Sequence, residues 1–217
     1  MEVIKDEFKT ILDSGQGTFK DKGSKFLAYA FHVTDEEMVN DRLSELKSLH
    51  PKARHICYAY QIGINDDRFR INDDGEPSGT AGRPIYSAIL SADITDVVIA
   101  VVRYFGGTKL GVSGLINAYK LSSRDALTAA NIITKFINDY AKIHFNPNQT
   151  GKVYNSLKHT NIEIIDQQLG MKNWIKIGIR KSKYKEVTTQ FLSHFHGLSK
   201  DHILHDSFES SLQIEQL

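Results

Sequence analysis

Groups that could bind an ion are concentrated in one segment, Asp73–Pro84, called the first loop. It combines acids, glycines, hydroxyls and an arginine. Small residues that run into a helix beginning near Pro84 would expose backbone amides at the positive end of the helix dipole, which favours an anion. The side chains that could complete an anion site are Ser78, Thr80 and Arg83.

The acids of the first loop allow a second interpretation. Their carboxylates could hold a hard cation such as Mg²⁺, and the candidates are Asp73, Asp74 and Glu76. Their spacing does not fit an EF-hand. The alternative is a turn in which these acids accept backbone hydrogen bonds or pair with Arg83. We therefore expect no bound metal and no cofactor.

A second glycine-rich segment, Arg103–Gly114, is called the second loop. A buried strand would deliver Arg103 and Tyr104 to a turn that contains Lys109 and opens a helix, as in phosphate-binding sites. The fingerprints of a Walker A motif and of G-x-G-x-x-G are both missing. The alternative is that the glycines permit close helix–sheet packing, while Arg103 pairs with an acid of the first loop.

Other reactive side chains form no recognisable catalytic set. Arg54 lies in the basic segment Pro51–His55, which could extend a cationic patch or be an ordinary loop. Cys57 is the single cysteine, so an intramolecular disulfide is excluded, and its apolar surroundings favour a small buried hydrophobe. Histidines near the C-terminus lack the spacing of a metal site, and they are His194, His196, His202 and His205. No nucleophile–base arrangement stands out, so a non-enzymatic protein is the leading expectation.

Local patterns predict the elements that position the two loops. The strongest strand is Asp96–Phe105, whose continuous apolar run indicates a central strand covered on both faces. Thr34 is predicted to cap the helix that ends at Leu49. The other predicted elements are strands at Gly17–Phe19, Phe26–Val33 and His55–Ile64, turns at Asn65–Asp67 and Asn72–Gly75, and helices at Pro84–Ser91 and Gly111–Ala130.

A different order of elements begins after Asn131. It reads strand Thr134–Phe145, helix Asn148–Thr160, strands Ile162–Leu169 and Trp174–Arg180, helix Tyr184–His196 and strand Phe208–Ile214. This β-α-β-β-α-β order is typical of a ferredoxin-like domain. The chain is therefore predicted to be an α+β protein with domains at residues 1–131 and 132–217.

One face of the second sheet is expected to lack helices, because both helices of this arrangement cover the opposite face. Strand alternation places aromatic and cationic side chains on the open face, namely Tyr140, Lys142, Trp174, Lys176 and Arg180. Aromatic rings beside cations are how open sheets bind single-stranded RNA. The alternative is that the same rings pack against the other domain.

Bulk properties exclude several classes of protein. The 217 residues are 41% hydrophobic and 24% charged, with a net charge of +1, so a phosphate-binding surface must be a local patch. The sequence shows no signal peptide and no apolar run of about 20 residues that could cross a bilayer. We expect a cytoplasmic protein, monomeric and without a membrane partner.

The two loops together closely resemble the YigZ/IMPACT family. The resemblance is carried by Asp73–Pro84, Val101–Gly107, Leu110-Gly111 and Lys52–His55, in order and at the expected separation. It implies a first domain with the left-handed βαβ fold of elongation factor G domain IV and a ferredoxin-like second domain similar to domain V. It also implies a relation to translation, because the eukaryotic members regulate it through the activator of a starvation kinase.

The leading hypothesis is a non-enzymatic regulator of translation that binds RNA, the ribosome or a translation factor. Its expected contact residues are Arg54, Ser78, Thr80, Arg83, Arg103, Tyr104, Lys109, Tyr140, Lys142, Trp174 and Lys176. One alternative is a kinase-like enzyme that holds phosphate or nucleotide in the Pro77–Gly82 segment with Mg²⁺. The other is a protein–protein adaptor with an exposed apolar patch.

Overall fold

The computed structural model describes residues 6–64, 68–199 and 212–217, and the chain divides into two compact units. The N-terminal unit is Phe8–Lys135, and the C-terminal unit contains the chain from Phe136 onward together with Asp6 and Glu7. Five α-helices and eleven strands occur among the described residues, which confirms the α+β class. None of those helices is long and apolar enough to cross a membrane.

Ten elements belong to the N-terminal unit or reach its boundary. They are β1 (Glu7–Ile11), β2 (Gly15–Asp21), β3 (Ser24–His32), α1 (Glu36–Leu49), β4 (His55–Ile62), β5 (Arg68–Asn72), α2 (Gly82–Ala92), β6 (Val97–Tyr104), α3 (Gly111–Ala129) and β7 (Ile132–Phe136). Strands β1 and β7 pair as a small separate sheet, and the other five form one antiparallel sheet in the order β2-β3-β6-β4-β5. As predicted, the apolar strand β6 is central.

Alternation along β6 separates two hydrophobic cores. Val97, Ile99 and Val101 face α2 and α3, where they pack with Ile85, Ala118 and other buried residues. The intervening residues of β6 face α1 and pack with its three buried side chains, Val39, Leu43 and Leu46. Because successive side chains of a strand point to opposite faces, the last two residues of β6 point to opposite sides of the sheet.

The C-terminal unit has the predicted β-α-β-β-α-β order. Its elements are β8 (Asn138–Phe145), α4 (Thr150–Thr160), β9 (Glu163–Gln168), β10 (Asn173–Arg180), α5 (Tyr184–His196) and β11 (Leu212–Gln216). All neighbouring strands are antiparallel, in the order β11-β8-β10-β9. Both helices pack on the face that carries the alternate buried residues of β8 and β10, and no described helix covers the other face, as expected.

Three details differ from the sequence predictions. Asp35, not Thr34, caps α1, because its carboxylate accepts the Met38 amide at 2.8 Å. The single strand predicted at Thr134–Phe145 is two strands, β7 and β8, in different sheets. Strands β1 and β5 were not predicted, because both are short and polar. The predicted turn Asn65–Asp67, His202, His205 and residues 208–211 of the predicted last strand lie outside the described residues.

Helix α3 lies directly against β2, and glycine makes this contact possible. A Cβ on Gly17 would lie 2.3 Å from the Ala126 amide nitrogen and 2.5 Å from the Ser122 carbonyl oxygen. A Cβ on Gly15 would lie 2.0 Å from the Ala126 carbonyl oxygen. These atoms are backbone and cannot move aside, so close helix–sheet packing requires glycine at both positions.

A buried carboxylate ties the start of the chain to the C-terminal unit. Asp6 accepts hydrogen bonds from Nε and Nη2 of Arg180 at 2.9 and 2.8 Å and from the Ser182 amide at 2.7 Å. The Arg180 hydrogen bonds outweigh burial and hold the pKa of Asp6 well below its usual range. Arg180, predicted to lie on the open sheet face, forms ion pairs with Asp6 and Glu7.

Replacement of Gly17 by alanine should destabilise the chain by about 1–3 kcal/mol or more, because the methyl group collides with backbone atoms of α3. Gly151→Ala is the matched control: no atom lies within 4 Å of its Cβ position, and alanine favours the helix by up to about 1 kcal/mol. Denaturant unfolding measures both. Equal stability of Gly17→Ala and the wild type would contradict the close approach.

Asp6→Asn should lower the melting temperature at neutral pH and make the melting temperature less dependent on pH in the acidic range. Since the folded-state pKa of Asp6 is lowered, the stability it contributes is complete above its unfolded-state pKa and is lost as the pH falls through the folded-state pKa. The difference from the wild type should therefore be full above about pH 5 and shrink toward lower pH. Glu7→Gln, which removes the exposed partner of Arg180, should change little. Parallel melting curves of Asp6→Asn and wild type across this range would refute the assignment.

Candidate functional site

The amides at the start of α2 bind a carboxylate of the chain itself. Asp73 accepts hydrogen bonds from the amides of Gly79, Ala81 and Gly82 at 2.8–3.0 Å. Burial opposes ionisation, but these hydrogen bonds outweigh it and hold the pKa of Asp73 below its usual range. The backbone donors that the sequence offered to an external anion are therefore satisfied within the first loop.

The side chains expected to complete that anion site differ in exposure. Thr80 is buried and donates its hydroxyl to the Pro77 carbonyl at 2.6 Å. Ser78 and Arg83 are exposed. The Thr80 hydroxyl is therefore used within the loop, while Ser78 and Arg83 remain at the surface.

The other acids of the first loop also have partners within the chain. Asp74 accepts the Ile56 amide at 2.6 Å, and its carbonyl contacts the ring of His55. Glu76 is buried and accepts hydrogen bonds from Arg103 and Tyr119. No cluster of three potential metal ligands occurs in the part of the chain that the structure describes. Asp73 and Asp74 accept backbone hydrogen bonds, as in the alternative considered above. The arginine that pairs with an acid of this loop is Arg103, however, and not the Arg83 of that alternative.

A buried ion pair joins the first loop to the second. Arg103 Nη1 and Glu76 Oε1 are 2.5 Å apart, and their side chains are only 8% and 4% exposed. Tyr119 of α3 donates to the same carboxylate oxygen at 2.8 Å. The guanidinium also lies over the rings of Phe26 and Phe105. The pairing of Arg103 with an acid of the first loop, one of the two alternatives, is therefore present.

Cys57 is buried and contacts Tyr119, the residue that bonds Glu76 of this pair. Its thiol donates to the Asp73 carbonyl at 3.0 Å and to the Tyr119 hydroxyl at 3.3 Å. Burial raises the pKa of the Cys57 thiol to about 12, so it stays protonated at neutral pH. A protonated, enclosed thiol is a poor nucleophile, in agreement with its interpretation as a buried hydrophobe.

The residues of the second loop point in different directions. Tyr104 lies on the α1 side of the sheet, where its hydroxyl bonds Nδ1 of His50 at 2.9 Å. Arg103 lies on the opposite side, facing α3. A Cβ on Gly106 would lie 1.9 Å from the Gly23 carbonyl carbon, so this glycine permits contact with the β2–β3 turn. Lys109 is exposed.

Three of the predicted cations line one cleft of about 460 Å³ in the N-terminal unit. They are Arg54, Arg103 and Lys109, and Glu76 contributes the opposing charge. The apolar part of the lining includes Phe105, Leu110 and Val112. Tyr104, Ser78, Thr80 and Arg83 do not contribute to the lining. The structure thus brings together one subset of the expected N-terminal contact residues.

Two pairs of cation and ring occupy the open face of the C-terminal sheet. Lys142 Nζ lies 4.6 Å from the ring centre of Trp174, and Lys176 Nζ lies 5.1 Å from that of Tyr140. The indole N–H of Trp174 donates to Gln168 at 2.8 Å, which fixes the ring. Four of the five residues expected on this face therefore form these two pairs.

The two lysines of this face are direct cross-strand partners in β8 and β10. Like charges placed opposite each other repel. Within the described residues neither Lys142 nor Lys176 forms an ion pair, and Glu215, which faces Lys142 on β11, contacts His144 instead. Asp166 faces Lys176 on β9, so each lysine has a carboxylate as a cross-strand neighbour, although neither carboxylate forms an ion pair with it among the described residues.

Sequence reasoning missed Tyr119 and the apolar residues of the cleft. The signal for Tyr119 is that it is the one aromatic residue of α3. Nothing in the sequence indicated that Leu110 and Val112 line a cleft. That role depends on which loops lie close together in the fold, and sequence periodicity does not predict it.

Comparison with known proteins gives consistent matches. Residues 22–127 match the family described as Impact N-terminal domain. The chain is 33% identical over 151 residues to "IMPACT family member YvyE" of Bacillus subtilis, with 70% of each chain covered. It is 30% identical over 171 residues to "IMPACT family member" of Haemophilus influenzae, with 78% of this chain and 83% of that one covered.

A solved structure described as "Crystal structure of an hypothetical protein" has a similar fold. It covers 99% of this chain and 98% of its own, with a TM-score of 0.67. The sequences are 23% identical, so this likeness concerns the fold alone. It agrees with the α+β architecture of two units.

Glu76→Gln should destabilise the protein by about 3–5 kcal/mol, because it leaves the buried Arg103 guanidinium without its counter-charge. Adding Arg103→Met removes that uncompensated charge, so the double variant should lose less stability than the sum of the two single variants. Denaturant unfolding of all four proteins measures the coupling energy. Additive losses would show that the two side chains do not depend on each other.

Proposed function

The chain belongs to the IMPACT family, as its two loop motifs predict, and we propose that it is a non-enzymatic RNA-binding regulator of translation. The RNA-binding surface is the open face of the C-terminal sheet, with Trp174, Tyr140, Lys142 and Lys176 as its contact residues. The protein acts in the cytoplasm on single-stranded RNA, free or within the ribosome, and needs no metal or cofactor.

The observation that carries this proposal is the geometry of the two cation–ring pairs. A base can stack on the accessible part of an indole or phenol ring, while a neighbouring ammonium group contacts a phosphate. Tyr140 is 39% exposed, and Trp174 is partly exposed and held by its hydrogen bond to Gln168. Two such pairs on adjacent strands suit two successive nucleotides.

The adjacent lysines at the centre of the face support an anionic partner such as RNA. Lys142 and Lys176 repel each other across β8 and β10, and a phosphate between them would relieve that repulsion. Binding should therefore release counterions and weaken as salt increases. Family membership supports the place of this activity in translation, because the resemblance implies that role for the eukaryotic members.

The arrangement of the first loop favours this function over a kinase-like enzyme. Phosphate binding in the Pro77–Gly82 segment would need free amides at the start of α2, and Asp73 already accepts hydrogen bonds from three of them. A Mg²⁺ ion would need carboxylates that are here bonded to amides, to Arg103 and to Tyr119. The alternative of a protein–protein adaptor is supported by exposed apolar residues on and beside the edge strand β9, including Ile165 and Leu169.

Fluorescence anisotropy with a labelled single-stranded RNA of about 12 nucleotides tests the proposal. Trp174→Ala should weaken binding roughly tenfold or more, because a stacked base contributes about 1–3 kcal/mol. Lys142→Ala should weaken it and reduce the slope of log K against log salt by about 0.7. Lys158→Ala is the matched control, since it removes an exposed lysine from α4 on the covered side of the sheet.

Two outcomes would contradict the RNA-binding function. One is the absence of RNA binding by the wild type at low salt. The other is equal binding by wild type, Trp174→Ala, Lys142→Ala and Lys158→Ala, which would place any affinity outside the open face. Capture of a protein partner that survives nuclease treatment and is lost in a β9 variant such as Ile165→Lys would favour the adaptor instead.

A further inference from the structure

The cleft of the N-terminal unit combines the parts of a phosphate site with an apolar wall. Arg54, Arg103 and Lys109 supply three positive charges against one carboxylate, Glu76. Phe105 and Val112 stand in the same lining and are 45% and 60% exposed. Its volume of about 460 Å³ is within the range of small-molecule sites.

Helix α3 begins in this cleft without a side-chain cap. Leu110 occupies the N-cap position, no side-chain cap is present among the described residues, and the first turn contains no acid. Four amides at a helix start have no intrahelical acceptor, and the dipole makes this end positive. Helix α2 differs, because Asp73 accepts hydrogen bonds from its first amides. The two glycine-rich loops therefore precede helices whose first amides differ. Those of α2 are bonded to the Asp73 carboxylate, whereas those of α3 have no side-chain cap and are available to an anion.

Arg103 gives an independent indication of a ligand. The residue is 7% exposed and lines the cleft, and its Nη1 bonds Glu76. Its Nε has no hydrogen-bond partner among the described residues. Buried donors without a partner are rare in folded proteins and call for a specific explanation. Here the guanidinium stands beside two further cations and an uncapped helix start, so its surroundings favour an anion.

From this geometry we propose that the cleft binds a nucleoside monophosphate, either free or as the 5′-terminal nucleotide of an RNA. The dianionic phosphate lies at the start of α3 and contacts Arg54 and Lys109, with Arg103 behind it. The base packs on the wall formed by Phe105 and Val112. The inference extends the proposed RNA-binding function but does not depend on it, because the cleft lies within the N-terminal unit.

Isothermal titration calorimetry of the full chain at constant ionic strength tests the site, with adenosine monophosphate, adenosine and inorganic phosphate as probes. The monophosphate should bind, adenosine should not bind measurably, and inorganic phosphate should bind at least tenfold more weakly than the nucleotide. Equal affinity for nucleotide and inorganic phosphate would overturn the apolar half of the proposal. No binding of either would overturn the whole.

Variants locate the site. Arg54→Ala and Lys109→Ala remove exposed cations and should each weaken nucleotide binding about tenfold. Arg124→Ala, which removes an exposed arginine from the far half of α3, is the matched control and should bind as the wild type does. Wild-type affinity in both cleft variants would overturn the assignment.

Val112→Glu separates anion binding from folding. The residue is exposed in the first turn of α3, so a carboxylate there suits the helix dipole and should not lower the melting temperature. The same carboxylate repels a phosphate and should abolish nucleotide binding. Retained binding by a stable Val112→Glu protein would contradict the proposal.

The source of the nucleotide is distinguished with RNA of identical sequence bearing a 5′-phosphate or a 5′-hydroxyl. If the cleft holds an RNA end, the 5′-phosphate should strengthen binding in wild type but not in Arg54→Ala. If the ligand is free nucleotide, the two RNAs should bind equally while adenosine monophosphate still binds. Trp174→Ala should lose RNA affinity and keep nucleotide affinity, so failure of one surface does not mask failure of the other.

Discussion

The buried ion pair between Glu76 and Arg103 is the interaction around which the N-terminal unit is organised. Glu76 comes from the first loop, and Arg103 is the penultimate residue of the central strand β6. Tyr119 of α3 donates to the same Glu76 oxygen. Breaking such a pair leaves an uncompensated charge in the interior, so each residue constrains the other. The pair fixes how the first loop, β6 and α3 meet, and it explains in physical terms why both motifs occur in one sequence.

That constraint also separates the charges of the unit. The acids of the first loop are used internally, where Asp73 and Asp74 accept backbone amides and Glu76 holds Arg103. Arg54 and Lys109 remain exposed beside the uncapped start of α3. A surface that retains its cations while its carboxylates are bonded inside favours anions over metal ions. On the open face of the C-terminal sheet, Lys142 and Lys176 lie against aromatic rings.

Much of this architecture could be predicted because its signals are local. The apolar run of β6, the alternation along β8 and β10, and the β-α-β-β-α-β order all follow from spacing within one element or between neighbours. What could not be predicted depends on partners distant in sequence. The sequence predicted Arg180 only as a residue of the open face, and its bond to Asp6, 174 positions away, could not be predicted. The sequence likewise did not identify the acceptor of the amides at the start of α2, because only the folded loop brings the Asp73 carboxylate within hydrogen-bond distance of them.

Native-state hydrogen exchange at the amides of Gly79, Ala81 and Gly82 tests the central claim most directly. If the first loop is closed by Asp73 and held to the sheet by the Glu76–Arg103 pair, these amides should exchange only through the opening that also exposes Val101 in β6. Their opening free energies should then equal that of the core. Exchange at the rate of a freely solvated loop would show that the first loop opens independently, and the account of a loop locked by its own acids would be wrong.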